Sequence, residues 1–132
     1  MNNSQEDTDN ILGEPPQRNP ILIRSSNIRE TNNPNVNTNP NVTVHKYELA
    51  DDYTCNILLY FDEIGEIINK GGIVLVNCAA GISRSSTIVI AYIMKYYKID
   101  LRKTFLFVKK KRNQICPNKR FMECLLEYEL AL

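Results

Sequence analysis

The chain has 132 residues, a length that fits one compact domain and is short for two. Its formal net charge of +1 indicates neither a nucleic-acid-binding protein nor a protein of membrane surfaces. With one histidine, His45, and four cysteines that form no C-x-x-C pair, we predict no metal site and no cofactor. The N-terminus lacks the basic and apolar pattern of a secretory signal, and the apolar runs are too short to span a bilayer. We therefore expect an intracellular protein, cytoplasmic or nuclear.

The first 41 residues are rich in asparagine and proline. Eleven of them are asparagine, and prolines interrupt the stretch at five positions. Because such a segment has little apolar surface to bury, we predict a largely disordered tail over residues 1–41 and a folded domain over residues 42–132. Within the tail, the apolar island at residues 20–23 predicts a short strand.

Strand and helix patterns begin at residue 42. Residues 42–49 alternate imperfectly and are β-branched and aromatic, which predicts a strand. A helix follows, with Thr54 or Asn56 as its cap and the pair Gly71 and Gly72 supplying left-handed geometry at its end. Its predicted buried stripe consists of Ile57, Phe61, Ile64 and Ile68.

The second half of the chain alternates between an apolar strand and helices. Residues 73–76 form an unbroken β-branched run, which predicts a strand buried on both faces. Helices are predicted from about Arg84 to Tyr97, after Asp100 and after Asn118. The buried positions predicted for the last two are Leu101, Phe105, Val108, Phe121, Leu125 and Tyr128. A buried strand flanked by helices indicates an α/β fold with a mostly parallel central sheet.

The loop between that strand and the next helix has the composition of an anion site. Small residues and a glycine let backbone N–H groups converge, and the helix N-terminus adds its positive dipole end. Arg84 can close the site with a guanidinium fork that matches phosphate oxygens. The predicted phosphate-binding residues are Ala79, Ala80, Gly81, Ile82, Ser83 and Arg84.

Cys78 is the candidate nucleophile of this loop. It follows the strand directly, where the helix dipole and Arg84 favour the thiolate. A thiolate beneath a bound phosphate is placed for in-line attack, which forms a covalent phosphocysteine. Ser85 is positioned to hydrogen-bond the sulfur and to ease its departure in the second step. The alternative is a structural cysteine, the commonest role of a free thiol, although a small-residue loop beside an arginine suits that role poorly.

Residues 74–97, VLVNCAAGISRSSTIVIAYIMKYY, resemble the signature of dual-specificity protein phosphatases, a branch of the protein tyrosine phosphatase superfamily. Residues 101–129 are similar to the last two helices of that family, and residues 47–64 to its general-acid loop and the helix after it. The resemblance implies a protein tyrosine phosphatase-like fold, with residues 42–132 as a catalytic domain. It also implies hydrolysis of phosphotyrosine and phosphoserine or phosphothreonine on proteins. We expect a monomer, with kinases as candidate further partners.

In this family an aspartate of the upstream loop protonates the leaving oxygen and then activates water. The resemblance places that role on Asp51, five residues before Asn56, with Asp52 as the alternative. A third reading is that both are solvated carboxylates that help the Thr54 cap.

Three departures from the family pattern favour a second hypothesis. Asn77 replaces the histidine before the nucleophile, so we expect a higher thiol pKa and slower turnover. The helix after the acid loop is about one turn short, and the family's first strand-helix unit is missing, which removes an edge strand. The second hypothesis is a weak or inactive pseudophosphatase that binds phosphorylated partners. Phosphoinositides and RNA 5′ triphosphates are disfavoured as substrates, because the loop interior has no lysine.

Two further groups of residues leave alternatives open. Lys109–Arg112, with Lys119 and Arg120, form the densest basic cluster, either a solvated helix end or a face for kinases or acidic substrates. Cys55 and Cys124 are either ordinary thiols or disulfide partners of the nucleophile under oxidation.

Overall fold

The computed structural model describes residues 21–26 and 42–132. Its three strands are β1 (Ile21–Ser26), β2 (Thr43–Glu48) and β3 (Val74–Asn77). Its helices are a 3-10 turn (Ile57–Tyr60), α1 (Phe61–Lys70), α2 (Arg84–Tyr97), α3 (Leu101–Lys111) and α4 (Lys119–Ala131).

The strands form one sheet in the order β2-β1-β3, and both pairings are parallel. Ile23, in the middle of β1, is fully buried and lies in register with His45 on one side and Val76 on the other. The predicted α/β fold with a parallel sheet is confirmed.

The strand predicted at residues 20–23 is present as β1 and is the central strand of the sheet. The domain boundary predicted at residue 42 therefore has to be corrected to include β1. The polar composition around this strand led to its assignment to the tail, although its three consecutive apolar residues are enough to provide the middle of a small sheet. The rest of the predicted tail, residues 1–20 and 27–41, lies outside the described residues.

The predicted apolar stripe of the first helix is confirmed. Ile57, Phe61 and Ile64 are buried, and Ile68 packs against the same core. The helical segment lies between Asn56 and Gly71 as predicted, but the geometry predicted for its two ends is wrong. Asn56 makes no capping hydrogen bond, because the helix begins as a tighter 3-10 turn. Gly71 is extended, with φ −82° and ψ 154°, because the chain turns toward β3 without a left-handed residue.

The prediction that the strand of residues 73–76 is buried on both faces is wrong. The side chain of Leu75 is 60% exposed, and that of Ile73, just before β3, is 75% exposed. β3 pairs with β1 on one side, and no described strand pairs with its other edge. A β-branched run identifies a strand, but it does not tell whether the strand lies in the middle of a sheet or at its edge.

Helix α2 is the centre of the packing, since it contacts the other three helices and the strands β1 and β3. The Asp100 carboxylate caps α3 by accepting from the Lys103 N–H at 2.8 Å. The predicted inward residues of the last two helices are confirmed: Leu101, Phe121, Leu125 and Tyr128 are buried, and Phe105 and Val108 are partly buried against the core.

Candidate active site

The loop between β3 and α2 is shaped by a glycine and held by the segment after α3. Gly81 has a φ of +66°, a left-handed conformation that favours glycine. Arg112 Nε donates to the Gly81 carbonyl oxygen at 3.1 Å, and the Cys116 N–H donates to the Ile82 carbonyl oxygen at 2.8 Å. These bonds engage carbonyl oxygens of the loop and leave its N–H groups to other partners.

The sulfur of Cys78 lies at the centre of this loop. Its Sγ is 3.3 Å from Oγ of Ser85 and accepts a hydrogen bond from the Gly81 N–H at 3.2 Å. Partial burial raises the thiol pKa, but the hydrogen bonds from Ser85 and Gly81 and the charge of Arg84 outweigh it. The pKa of Cys78 is therefore lowered, which favours the thiolate that nucleophilic attack requires.

The Ser85→Ala variant tests this explanation. The hydrogen bond from the Ser85 side chain lowers the pKa of Cys78, so removing the hydroxyl is expected to raise it. Because alkylation follows the thiolate fraction, the reaction of Cys78 with iodoacetamide should reach its plateau at a higher pH than in the parent chain. Peptide mass spectrometry resolves Cys78 from the other three cysteines. An unchanged profile would show that the hydroxyl does not stabilise the thiolate.

Arg84 connects the loop to the segment after β2. Its side chain is 4% exposed, and its Nη1 donates to the Leu49 carbonyl oxygen at 2.9 Å. Leu49 lies two residues before Asp51. The guanidinium is thus fixed between the loop that carries Cys78 and the predicted acid loop.

The two candidate acids have different partners. Asp52 Oδ1 accepts from the N–H of Thr54 at 2.8 Å and from its hydroxyl group, and the hydroxyl bond lowers the Asp52 pKa. Asp52 therefore stabilises its own turn. Asp51 Oδ1 accepts instead from Nδ2 of Asn118 at 2.8 Å, and Asn118 in turn bonds Ser83 of the loop that carries Cys78.

Asn118 is a site residue that the sequence analysis missed. Its N–H donates to Oγ of Ser83 at 2.9 Å, while its side chain contacts Asp51. Its Oδ1 also caps α4 by accepting from the Phe121 N–H at 2.8 Å. In the sequence Asn118 was predicted only to begin a helix, and no local pattern reveals that it bridges two distant loops.

A cavity of about 440 Å³ opens beside the phosphate loop. Five of the predicted site residues line it: Cys78, Ala79, Ala80, Gly81 and Ser85. The predicted phosphate binders Ile82, Ser83 and Arg84 do not line it, and neither does the candidate acid Asp51. Ser83 is buried and bonded to Asn118, and Ile82 is partly exposed.

Two members of the basic cluster, Lys111 and Arg112, form part of the cavity wall. Lys109 Nζ donates instead to the Ile115 carbonyl oxygen at 2.8 Å, and Arg120 lies 3.4 Å from Glu123. The cluster is therefore divided, because only Lys111 and Arg112 reach the cavity.

The surroundings of Asn77 do not satisfy the hydrogen-bonding capacity of its side chain. Its Oδ1 is buried, and no hydrogen-bond partner for it lies within the described part of the chain. A buried carbonyl oxygen without a partner costs free energy.

None of the four cysteines forms a disulfide bond. Cys55, Cys116 and Cys124 are free, as is Cys78. Within residues 21–26 and 42–132, no three His, Cys, Asp or Glu side chains form a cluster that could bind a metal ion. No helix among these residues combines the length and apolar character needed to cross a membrane.

Comparisons with known proteins agree with this geometry. The profile of the family described as "Dual specificity phosphatase, catalytic domain" matches residues 15–131. Human dual specificity protein phosphatase 5 is 45% identical over 85 residues, which are 61% of this chain and 22% of that protein. Mouse dual specificity protein phosphatase 14 is 42% identical over 103 residues, which are 75% of this chain and 52% of that protein. The chain thus spans about half the length of these relatives, or less.

Solved structures share the fold over nearly the whole chain. Human tyrosine phosphatase-like serine/threonine/tyrosine-interacting protein is 32% identical, with a TM-score of 0.75, and the match covers 98% of this chain and 85% of that chain. Human DUSP28 is 26% identical, with a TM-score of 0.73, and the match covers 97% of this chain and 82% of that chain. The parallel sheet, the loop around Cys78 and these matches together place the chain in the dual specificity phosphatase family of the protein tyrosine phosphatase superfamily.

Proposed function

We propose that this chain hydrolyses phosphotyrosine and phosphoserine or phosphothreonine on protein substrates through a phosphocysteine intermediate. The observation that carries the proposal is Cys78, whose thiol pKa is lowered by hydrogen bonds from Ser85 and Gly81 within an anion-binding type of loop. A protein that only bound phosphate would have no need of a thiolate at this point.

In the first step, the Cys78 thiolate attacks phosphorus while the bond to the substrate oxygen breaks. Asp51 gives its proton to the leaving oxygen. In the second step, a water molecule attacks the phosphocysteine and transfers a proton to Asp51. The sulfur–phosphorus bond breaks, inorganic phosphate leaves and the thiolate is restored, with Ser85 hydrogen-bonded to the departing sulfur.

The loop N–H groups and Arg84 hold the phosphate during both steps. The positive end of α2 and the guanidinium stabilise the charge on the phosphoryl oxygens. Asp51 is the better candidate for the acid, since Asp52 is occupied by its bonds to Thr54.

Asn118 is assigned a positioning role by its contacts with Asp51 and Ser83. We expect Asn118→Ser to keep a helix cap and Asn118→Ala to lose it, so that only the second variant is destabilised by about 1 kcal/mol. Both remove the amide that holds Asp51, so both should lower kcat about tenfold for a substrate with a poor leaving group. Thermal unfolding and hydrolysis of phenyl phosphate separate the two effects. If Asn118→Ser retains the parent rate, Asn118 acts only as a cap.

The proposal is tested by turnover of an aryl phosphate in buffer with a metal chelator. The parent chain should hydrolyse it, and acid-quenched protein should carry one phosphate on the peptide that contains Cys78. The matched control is Cys116→Ser, which removes an exposed free thiol and should leave both results unchanged. A folded parent chain without turnover between pH 5 and 8 contradicts the proposal.

A second candidate function, binding of phosphorylated partners without turnover, is favoured by one observation. Asn77 takes the place of the family histidine, and its buried Oδ1 finds no partner within the described residues. Binding of inorganic phosphate by a folded but inactive chain, lost in Arg84→Ala, would support this candidate.

Phosphorylated proteins are the substrates that family membership supports. We propose an intracellular location and kinases as further partners on the strength of the family resemblance. Lys111 and Arg112, beside the cavity, are where an acidic substrate or partner would bind.

A further inference from the structure

The outer edge of β3, with which no described strand pairs, is lined by apolar side chains on both faces of the sheet. Leu75 is 60% exposed on one face. Val74 and Val76 line an apolar cavity of about 430 Å³ that also involves α2 and α3. Exposed apolar and aromatic side chains surround this edge and form what we name the edge face: Ile73, Leu75, Tyr97, Ile99 and Phe107. A strand that paired here would contact apolar groups above and below itself.

The two outer strands of the sheet differ in their protection. β2 carries the exposed charged residues Lys46 and Glu48, which discourage pairing with another strand. β3 contains no charged residue, and no described residue pairs with its outer edge. Unpaired N–H and C=O groups on an apolar strand are a template for strand addition.

A strand suited to this edge must itself be apolar on both sides, and most of the chain offers no such strand. Residues 1–20 contain three prolines and one apolar pair, Ile11 and Leu12. Residues 27–41 contain two prolines and only two large apolar residues, Ile28 and Val36. β3 of a second copy meets the requirement over Val74, Leu75 and Val76, which are apolar on both faces, with the polar Asn77 at the end of the strand.

We infer that two copies of this chain pair through the outer edges of β3. A two-fold axis at Leu75 makes the two strands antiparallel and joins the two sheets into one of six strands. The same pairing covers the edge face of both copies. Leu75 also lines the cavity that contains Cys78, so the paired strand lies beside the candidate active site. This inference replaces the monomer expected from sequence, and it does not depend on catalysis.

The oligomeric state of the full chain tests the inference. Sedimentation equilibrium should show a concentration-dependent dimer for the parent chain. Leu75→Lys places two like charges opposite each other and should raise the dissociation constant by at least about tenfold. Leu130→Lys, a control at an 88% exposed leucine of α4, should leave the dimer unchanged.

A crosslink tests the arrangement itself and does not require the lysine variant to fold. In a Cys116→Ser background, Leu75→Cys should form a disulfide between two copies under mild oxidation, whereas Leu130→Cys should not. A parent chain that stays monomeric overturns the inference. If the amides of β3 are then protected from hydrogen exchange, residues of the same chain cover the edge. A dimer that survives Leu75→Lys and gives no crosslink at residue 75 also overturns it, and indicates another interface.

Discussion

Replacing Cys78 with serine is expected to lower kcat for aryl phosphates by at least about 10⁴-fold, because the nucleophile is lost. The hydrogen bonds from Ser85 and Gly81 stabilise the thiolate and so help to lower the pKa of Cys78. They do not suffice for a serine hydroxyl, whose intrinsic pKa is far higher. Steady-state hydrolysis in the presence of a metal chelator measures the loss.

Two controls separate this loss from damage to the fold. Serine and cysteine have similar shapes, so the thermal unfolding temperature should remain close to that of the parent chain. The affinity for inorganic phosphate should not fall, because a neutral hydroxyl replaces an anionic thiolate. The Cys116→Ser variant, changed at an exposed position, should keep the parent kcat. A Cys78→Ser variant that retained more than about 1% of parent activity would contradict the phosphocysteine mechanism. Hydrolysis would then proceed without the thiolate, for example by direct attack of a water molecule that a general base activates.

Asp51→Asn is expected to lower kcat for phenyl phosphate by about 10²- to 10³-fold. The phenolate that leaves from this substrate is a poor leaving group and depends on the proton that Asp51 supplies. For p-nitrophenyl phosphate, whose leaving phenol is more acidic, the loss should be smaller. The comparison of the two substrates measures the loss of acid catalysis rather than a general distortion of the site.

Asp52→Asn is the matched control, one residue away. Asp52 accepts hydrogen bonds from Thr54 and stabilises the local turn of the loop. This variant should therefore keep a rate within about threefold of the parent on both substrates. It should slightly lower the thermal stability of the loop. If Asp52→Asn shows the larger and substrate-dependent loss, the roles of the two aspartates are reversed.

Many of the helices and strands could be predicted because local sequence patterns indicate them. The stripe through Ile57, Phe61 and Ile64 identifies a helix whatever surrounds it, and Asp100 and Asn118 mark helix starts by the chemistry of their own side chains. The place of each strand in the sheet could not be predicted. β1 lies within a polar stretch yet is central, whereas the apolar β3 is at an edge, because strand order depends on which backbones pair at long range.

The candidate site likewise contains residues that could be predicted from local sequence and one that could not be assigned without the structure. Cys78, Gly81, Arg84 and Ser85 are close in sequence, so a single strand-loop-helix connection brings them together. Asp51 could be named only as one of a pair, and the structure distinguishes the pair by their different hydrogen-bond partners.

The sequence by itself determined the chemistry of the loop, since a cysteine, small residues, a glycine and an arginine at the start of a helix suit phosphate wherever the domain places them. Only the tertiary structure decided which distant residues serve that loop. Asn118 reaches Asp51 across 67 positions and Ser83 across 35, and these contacts exist because α4 packs on α2. Such contacts depend on how helices and strands pack, and packing is a property of the whole chain rather than of any local pattern within it.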